Sequence, residues 1–427
     1  MPYQTVPDSV RRFMDRITEL CGAEHADWAE NFNAAFANTL TTTVHRHADG
    51  TTFLLTGDIP AMWLRDSTAQ VRPYLPIAAE DDDLADMIEG LVRLQFRYIG
   101  IDPYANAFNE EPNGATWDPD DRSDFSSPWL WERKYELDSL CYPIQLAWLL
   151  NVNTGRVSQF DDTFISGMRR VLDVLETEQD HARSPYFFIR DCDIPTESLD
   201  NDGRGTPVAP TGMTWSGFRP SDDACTYHYL VPANMFAAVV MGYAERIFTE
   251  IVDDAALAAR ARALRESIDG GLRSHGTMTN AAGETIWAYE VDGLGHALLM
   301  DDSNVPSLMA APYLGYCAAD DPLYLSTRRT LLSAENPFYY EGAYAKGIGS
   351  PHTPPRYVWP IALSIQGLTS PDKAEKAAIL DNLVAIDAGT HLMHEGVCVD
   401  DPTQYTREWF SWSNMMFCEL VMDYFDI

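Results

Sequence analysis

The 427-residue chain has a formal net charge of −34 at pH 7, an apolar fraction of 46% and lysine only at Lys134, Lys346, Lys373 and Lys376. That apolar fraction excludes a disordered or fibrous chain, and no apolar run approaches the roughly 20 residues that span a bilayer. The acidity repels phosphate backbones and anionic membranes, so neither nucleic acid nor membrane is an expected partner and a neutral substrate is compatible. Solubility or adaptation to salt accounts for most of the charge without any function.

The N-terminal Met1-Pro2-Tyr3-Gln4-Thr5-Val6 run lacks the basic and apolar regions of a secretory signal, which makes a cytoplasmic protein the expectation. The first motif follows a strand-like run over Thr51–Leu55. It is Thr56-Gly57-Asp58-Ile59-Pro60-Ala61-Met62-Trp63-Leu64-Arg65-Asp66-Ser67, expected to enter a helix through an Asp66-Ser67 capping pair. Arg65 beside Asp66 offers a rigid donor fork and an acceptor pair, suited to vicinal hydroxyls; a local ion pair is the plainer explanation. Polar and aromatic residues recur over 102–109 and 131–143, where Glu132, Glu136 and Asp138 are expected to be structural before catalytic.

Asp161-Asp162-Thr163 has the composition of a helix start, and Phe164, Met168, Val171, Leu172 and Leu175 repeat behind it at helical spacing above a charged face. Thr214 to Asp223 then places Trp215, Arg219 and two adjacent carboxylates, Asp222-Asp223, ahead of an apolar helix. Desolvation plus a neighbouring negative charge is what keeps a general acid protonated near neutral pH. Tyr229 to Tyr243 and Asn304 to Ala319 contain no charge, and helices without a polar face must be covered on every side. Leu257, Ala261, Leu264 and Ile268 form a one-faced helix expected to stop at Gly270-Gly271, and Ile379, Leu383 and Ile386 form another ending at Gly389. Glu395 follows in a loop beside His394, ahead of the aromatic run Tyr405 to Trp412; Glu408 is expected in the first turn of the last helix.

Alternation of fully buried with half-buried helices implies an inner ring wrapped by an outer one. Six helical hairpins of roughly 70 residues fit the length as one all-α (α/α)6 barrel, or toroid, over residues 1–427. A layered solenoid would read similarly, although no fixed-period repeat favours it. No linker divides the chain. The helix-poor stretches 101–133, 183–228, 335–356 and 389–405 are long enough to be functional loops that form a pocket.

Several chemistries are absent. His394-Glu395 begins like a zinc-protease motif, but Cys398 stands at the second histidine position; no dinucleotide, Walker or nucleophile-elbow motif occurs. Cys21, Cys141, Cys192, Cys225, Cys317, Cys398 and Cys418 form no paired spacing, so neither a zinc cage nor a disulfide framework is expected. Loop carboxylates, arginines and tryptophans remain, which is the equipment of sugar chemistry.

Five ordered blocks, at 56–75, 102–109, 131–143, 216–237 and 393–412, together resemble glycoside hydrolase family 125, whose members are exo-acting α-1,6-mannosidases. The resemblance implies an (α/α)6 barrel, an inverting mechanism, no metal or other cofactor, and a small α-mannoside oligosaccharide as substrate. It places the acid in the Phe218-Arg219-Pro220-Ser221-Asp222-Asp223 block and the base at Glu395. Of the two aspartates, Asp222 is taken as proton donor and Asp223 as its neighbour. Arg65 and Asp66 are expected to grip the non-reducing mannose, with Trp63, Trp215, Arg219, Asp223 and Trp409 as further substrate contacts. A phosphorylase or epimerase on the same barrel, or a non-catalytic mannoside-binding protein, are the competing readings, and oligomeric state stays open.

Overall fold

The computed structural model describes residues 3–302 and 304–427. Its helices sort by composition into two layers. Leu64–Val71, Leu137–Thr154, Val231–Arg246, Pro360–Leu368 and Ser411–Tyr424 are buried along most of their length. They pack on one another: Leu64–Val71 lies between Leu137–Thr154 and Ser411–Tyr424, the former continues onto Val231–Arg246, and the latter onto Pro360–Leu368. Around them run helices with one apolar face. Asp82–Ile101 and Asp162–Glu178 pack together, Ala255–His275 covers Val231–Arg246, and Ala26–Asn38 and Lys373–Ala385 cover Ser411–Tyr424. Each buried Leu, Val or Phe side chain contributes about 1.5–3 kcal/mol, so the inner layer is held by the apolar surface that the sequence left without a polar face.

Helix starts follow local chemistry. The Asp161 carboxylate accepts hydrogen bonds from the amides of Thr163 and Phe164, satisfying donors that the first turn leaves free. Three expectations fail here. The helix Lys373–Ala385 stops ahead of Ile386 and does not reach Gly389. Ala255–His275 runs through Gly270 and Gly271 and ends at Gly276. A Cβ at Gly271 would lie 2.8 Å from the Met213 amide nitrogen and the Thr211 carbonyl oxygen, so this glycine allows a close backbone approach instead of stopping a helix. The uncharged segment 304–319 is buried over 304–311 but surfaces at Gly315 and Ala318, and it folds as successive turns. Pro306 and Pro312 remove amide donors there, and the Asp301 carboxylate takes the amides of Leu308 and Met309 instead.

Short strands precede the inner helices and pair with one another, which gathers the helix N-termini and their loops. Met62–Trp63 pairs antiparallel with Ala107–Phe108, which pairs with Leu130–Glu132. Tyr357–Val358 pairs with Gly396–Cys398, which pairs with Tyr405–Thr406. These two sheets are tied where Gly57 bridges Phe410; the Asp58 amide donates to the Trp409 carbonyl at 3.3 Å, and the Ser411 amide to the Thr56 carbonyl at 3.3 Å. The first and last sequence blocks therefore meet. Among the described residues, no helix is long and apolar enough to cross a membrane.

Candidate active site

A small, half-open hollow lies where these helix starts converge. Its lining includes Trp63, Arg65, Asp66, Asp222 and Glu395, five residues drawn from three separate sequence blocks. Thr56, Asn304, His352, Trp359, Arg407 and Trp412 complete the polar and indole surface.

Asp222 sits at the tip of a turn closed by the pairing of Phe218 with Ala224. Its φ of 68° is left-handed, a conformation that aspartate tolerates better than most residues and that costs about 1–3 kcal/mol. The turn is overdetermined: the Asp222 amide donates to the Arg219 carbonyl at 2.9 Å, the Arg219 amide to the Asp223 carbonyl at 2.8 Å, and Lys134 Nζ to the Asp222 carbonyl at 2.8 Å. The carboxylate thus held is 25% exposed and lies 3.4 Å from Arg65 Nη2 and 3.5 Å from Asn106 Nδ2.

Arg65 is the hub of this wall. Its guanidinium meets Glu136, Asp138 at 3.5 Å, Asp222 at 3.4 Å and Asp66 at 3.5 Å, and it lies 5.4 Å from the centre of the Trp412 ring. Asp66 does not cap the helix as expected; Leu64–Val71 already includes it, and Thr56 Oγ1 donates to its carboxylate at 2.6 Å. The Glu136 and Asp138 side chains are fully buried, so removing the cation would strand them. We expect Arg65→Met to destabilise the fold by about 3–5 kcal/mol, read as a lowered denaturation midpoint; an unchanged midpoint would show that the guanidinium does not hold this wall.

Glu395 leads into the strand Gly396–Cys398, its amide donating to the Thr406 carbonyl at 3.2 Å. Its carboxylate lies 3.8 Å from Arg407 Nη1, while the Arg407 guanidinium also grips Asp58. Beside it, His394 is buried, stacked on Tyr405 at 3.7 Å. Glu408, expected in the last helix, is exposed and precedes its first residue, Ser411. Among the described residues no hydrogen bond or ion pair joins Asp222 to Glu395, so the two carboxylates face one cavity from different supports.

Three expected contacts stand elsewhere. Trp215 is fully buried, stacked on His181 at 3.7 Å and flanked by His228 and Tyr135. Arg219 turns away to Glu290 at 2.6 Å. Trp409 donates through Nε1 to Asn38 at 2.9 Å, outside the cavity. These residues build the site's support and do not line it. Asp223 is buried behind the wall, 3.1 Å from His352 Nδ1.

His352 escaped the sequence reading, although it lies in one of the flagged loops. Burial opposes its charge, but the Asp223 hydrogen bond, the Asp223 charge and those of Glu395 and Asp222 outweigh burial and raise its pKa to about 9. A histidine raised this far contributes stability that is complete below the unfolded value of about 6.5 and is lost as pH climbs through 9. The melting-temperature gap between wild type and His352→Gln is therefore expected to be widest near pH 6 and to shrink above pH 9; a constant gap would show that His352 carries no charge in the fold.

The sequence profile described as metal-independent alpha-mannosidase (GH125) matches residues 25–422. The chain belongs to glycoside hydrolase family 125. A Streptococcus pneumoniae family 125 structure, from work on metal-independent alpha mannosidases and in complex with α-1,6-mannobiose, is 55% identical, with a TM-score of 0.97 and 99% of each chain covered. The Meiotically up-regulated gene 157 protein of Schizosaccharomyces pombe is 38% identical over 99% of this chain and 88% of its own length. The glucoamylase of Saccharomycopsis fibuligera shares only 13% identity, but its TM-score of 0.55 over 100% of this chain and 98% of its own places this family 125 member in the same helical-barrel fold. As a family 125 protein it is a glycoside hydrolase acting on α-mannosides.

Proposed function

We propose that this α-mannosidase removes terminal, non-reducing α-1,6-linked mannose by a single displacement with inversion. The observation that carries the reading is that Asp222 and Glu395 open into one small cavity whose wall is Arg65 and Asp66. Asp222, beside Arg65 and Asn106, protonates the departing glycosidic oxygen. Glu395, steadied by Arg407, deprotonates the water that attacks the anomeric carbon from the other face. Such a pair acts by inversion when its carboxyl groups stand about 6.5–9.5 Å apart, leaving room for that water.

Arg65 and Asp66 grip the hydroxyls of the terminal sugar and wall off one side of the small hollow, which favours one ring at a time and hence exo action. Trp63 and Trp412 line the same hollow with indole nitrogens that are buried and, among the described residues, without a hydrogen-bond partner. Sugar oxygens supply that acceptor. Both cavity arginines are already committed to carboxylates, which leaves little attraction for phosphate and disfavours a phosphorylase. We place the enzyme in N-glycan or mannan breakdown in the cytoplasm, where the seven free cysteines suit a reducing compartment. Incubation with α-1,2-, α-1,3- and α-1,6-mannobiose should release mannose fastest from the last. Equal or slower release from it would overturn the linkage assignment.

A further inference from the structure

Glu136 entered the sequence reading as a structural acid, yet its carboxyl lies within hydrogen-bond reach of the Asp222 carboxyl. Two donors span both groups. Asn106 Nδ2 lies 3.4 Å from Glu136 and 3.5 Å from Asp222, and the Arg65 guanidinium meets both carboxylates. Ser139 Oγ donates to Glu136 at 2.7 Å, fixing it from behind. Ionised carboxylates only accept hydrogen bonds, so two of them settle at this range when one proton lies between them. Glu136 is fully buried, whereas Asp222 is 25% exposed toward the cavity.

We propose that Glu136 is a positioning residue that shares one proton with Asp222 and keeps the donor charged with it at neutral pH. The inference rests on Asp222 being the donor. Without Glu136 the surroundings would drain that donor. Arg65, Lys134 and His352 are cations beside Asp222, and Asn106 donates to it. The other nearby acids are already engaged: Asp66 by Thr56, Asp138 by Arg65, Asp223 by His352 and Glu132 by Arg190. Burial resists ionisation of Asp222, yet Arg65, the Glu136 hydrogen bond and Lys134 together hold it below the usual carboxylate range, while burial raises Glu136 far above its own against the pull of Arg65. In the free enzyme the shared proton therefore rests toward Glu136. A glycosidic oxygen at Asp222 draws it across.

The step balances. The shared proton goes to the leaving oxygen as the C1–O bond breaks, the water oxygen bonds to C1, and Glu395 takes the water's proton. Solvent exchange then returns one proton to the pair as Glu395 loses one, for a net consumption of one water.

The test is the pH profile of kcat/KM on α-1,6-mannobiose for wild type, Glu136→Gln and Glu136→Asp, with Asp222→Asn as control. Glutamine donates an amide hydrogen to an ionised Asp222 and carries no charge, so the alkaline limb should move down by at least one pH unit. On a dinitrophenyl α-mannoside, whose leaving group needs no proton, the shift should vanish. Glu136→Asp, with its carboxyl drawn back one methylene, should move the limb in the same direction by less, and it answers the question if the glutamine variant does not fold. A uniform loss at every pH with the limb unmoved would make Glu136 merely structural and overturn the proposal. Full activity of Asp222→Asn on mannobiose would instead remove the donor assignment itself.

Discussion

Replacing Glu395 with glutamine is expected to lower kcat/KM on α-1,6-mannobiose by about 10²–10⁴-fold, the range over which a positioned general base contributes. The exchange keeps shape and backbone: the residue is 8% exposed, and its strand entry is fixed by the Thr406 carbonyl, not by its side chain. What disappears is the lining carboxylate 3.8 Å from Arg407 that is assigned to accept a proton from water. Calorimetric mannose affinity should stay within a few-fold of wild type, because Arg65 and Asp66 are untouched. Surviving hydrolysis would move the base elsewhere. Glu408 makes a poor substitute, since it is exposed and absent from the cavity.

The second large effect is expected at Asp222→Asn. Asparagine tolerates the left-handed φ of 68°, so the turn should hold. Turnover of mannobiose should fall by about 10²–10⁴-fold, whereas hydrolysis of a dinitrophenyl α-mannoside should fall far less, since that leaving group departs without a proton. Equal losses on both substrates would mean that Asp222 serves binding and not proton donation. The comparison separates the two acids as well: Asp223→Asn should disturb the His352 pairing at 3.1 Å and spare the leaving-group dependence.

The two-layer architecture was legible because an uncharged run such as Tyr229 to Tyr243 can be stable only when covered on all sides, and Val231–Arg246 is so covered. Residues 304–319 came out differently: apolarity predicts a covered helix, but two prolines decided the backbone, and full burial holds over 304–311 while Gly315 and Ala318 reach the surface. Arg65, Asp66, Asp222 and Glu395, which line one cavity, were singled out by the carboxylates and arginine of their loops, and the family resemblance then supplied their expected roles. Trp215 and Trp409 show the limit of proximity in sequence. A tryptophan a few residues from a carboxylate carries no sign of which way its ring turns, and here the rings turn toward His181 and Asn38. His352 and Arg407 become site residues only through long-range pairing of Tyr357–Val358, Gly396–Cys398 and Tyr405–Thr406, a register that no local pattern announces. Glu136 was visible as an acid, but its closeness to Asp222 arises from a turn 86 residues further along the chain.

The most direct test of the account follows the first anomer released from α-1,6-mannobiose by proton NMR, sampled before mutarotation. Direct displacement by water across the Asp222–Glu395 cavity requires β-mannose to appear first, with the α form growing in later. Initial α-mannose would mean a covalent intermediate and a different role for Glu395, and no mannose at all would contradict the assignment of this cavity to α-1,6-mannoside hydrolysis.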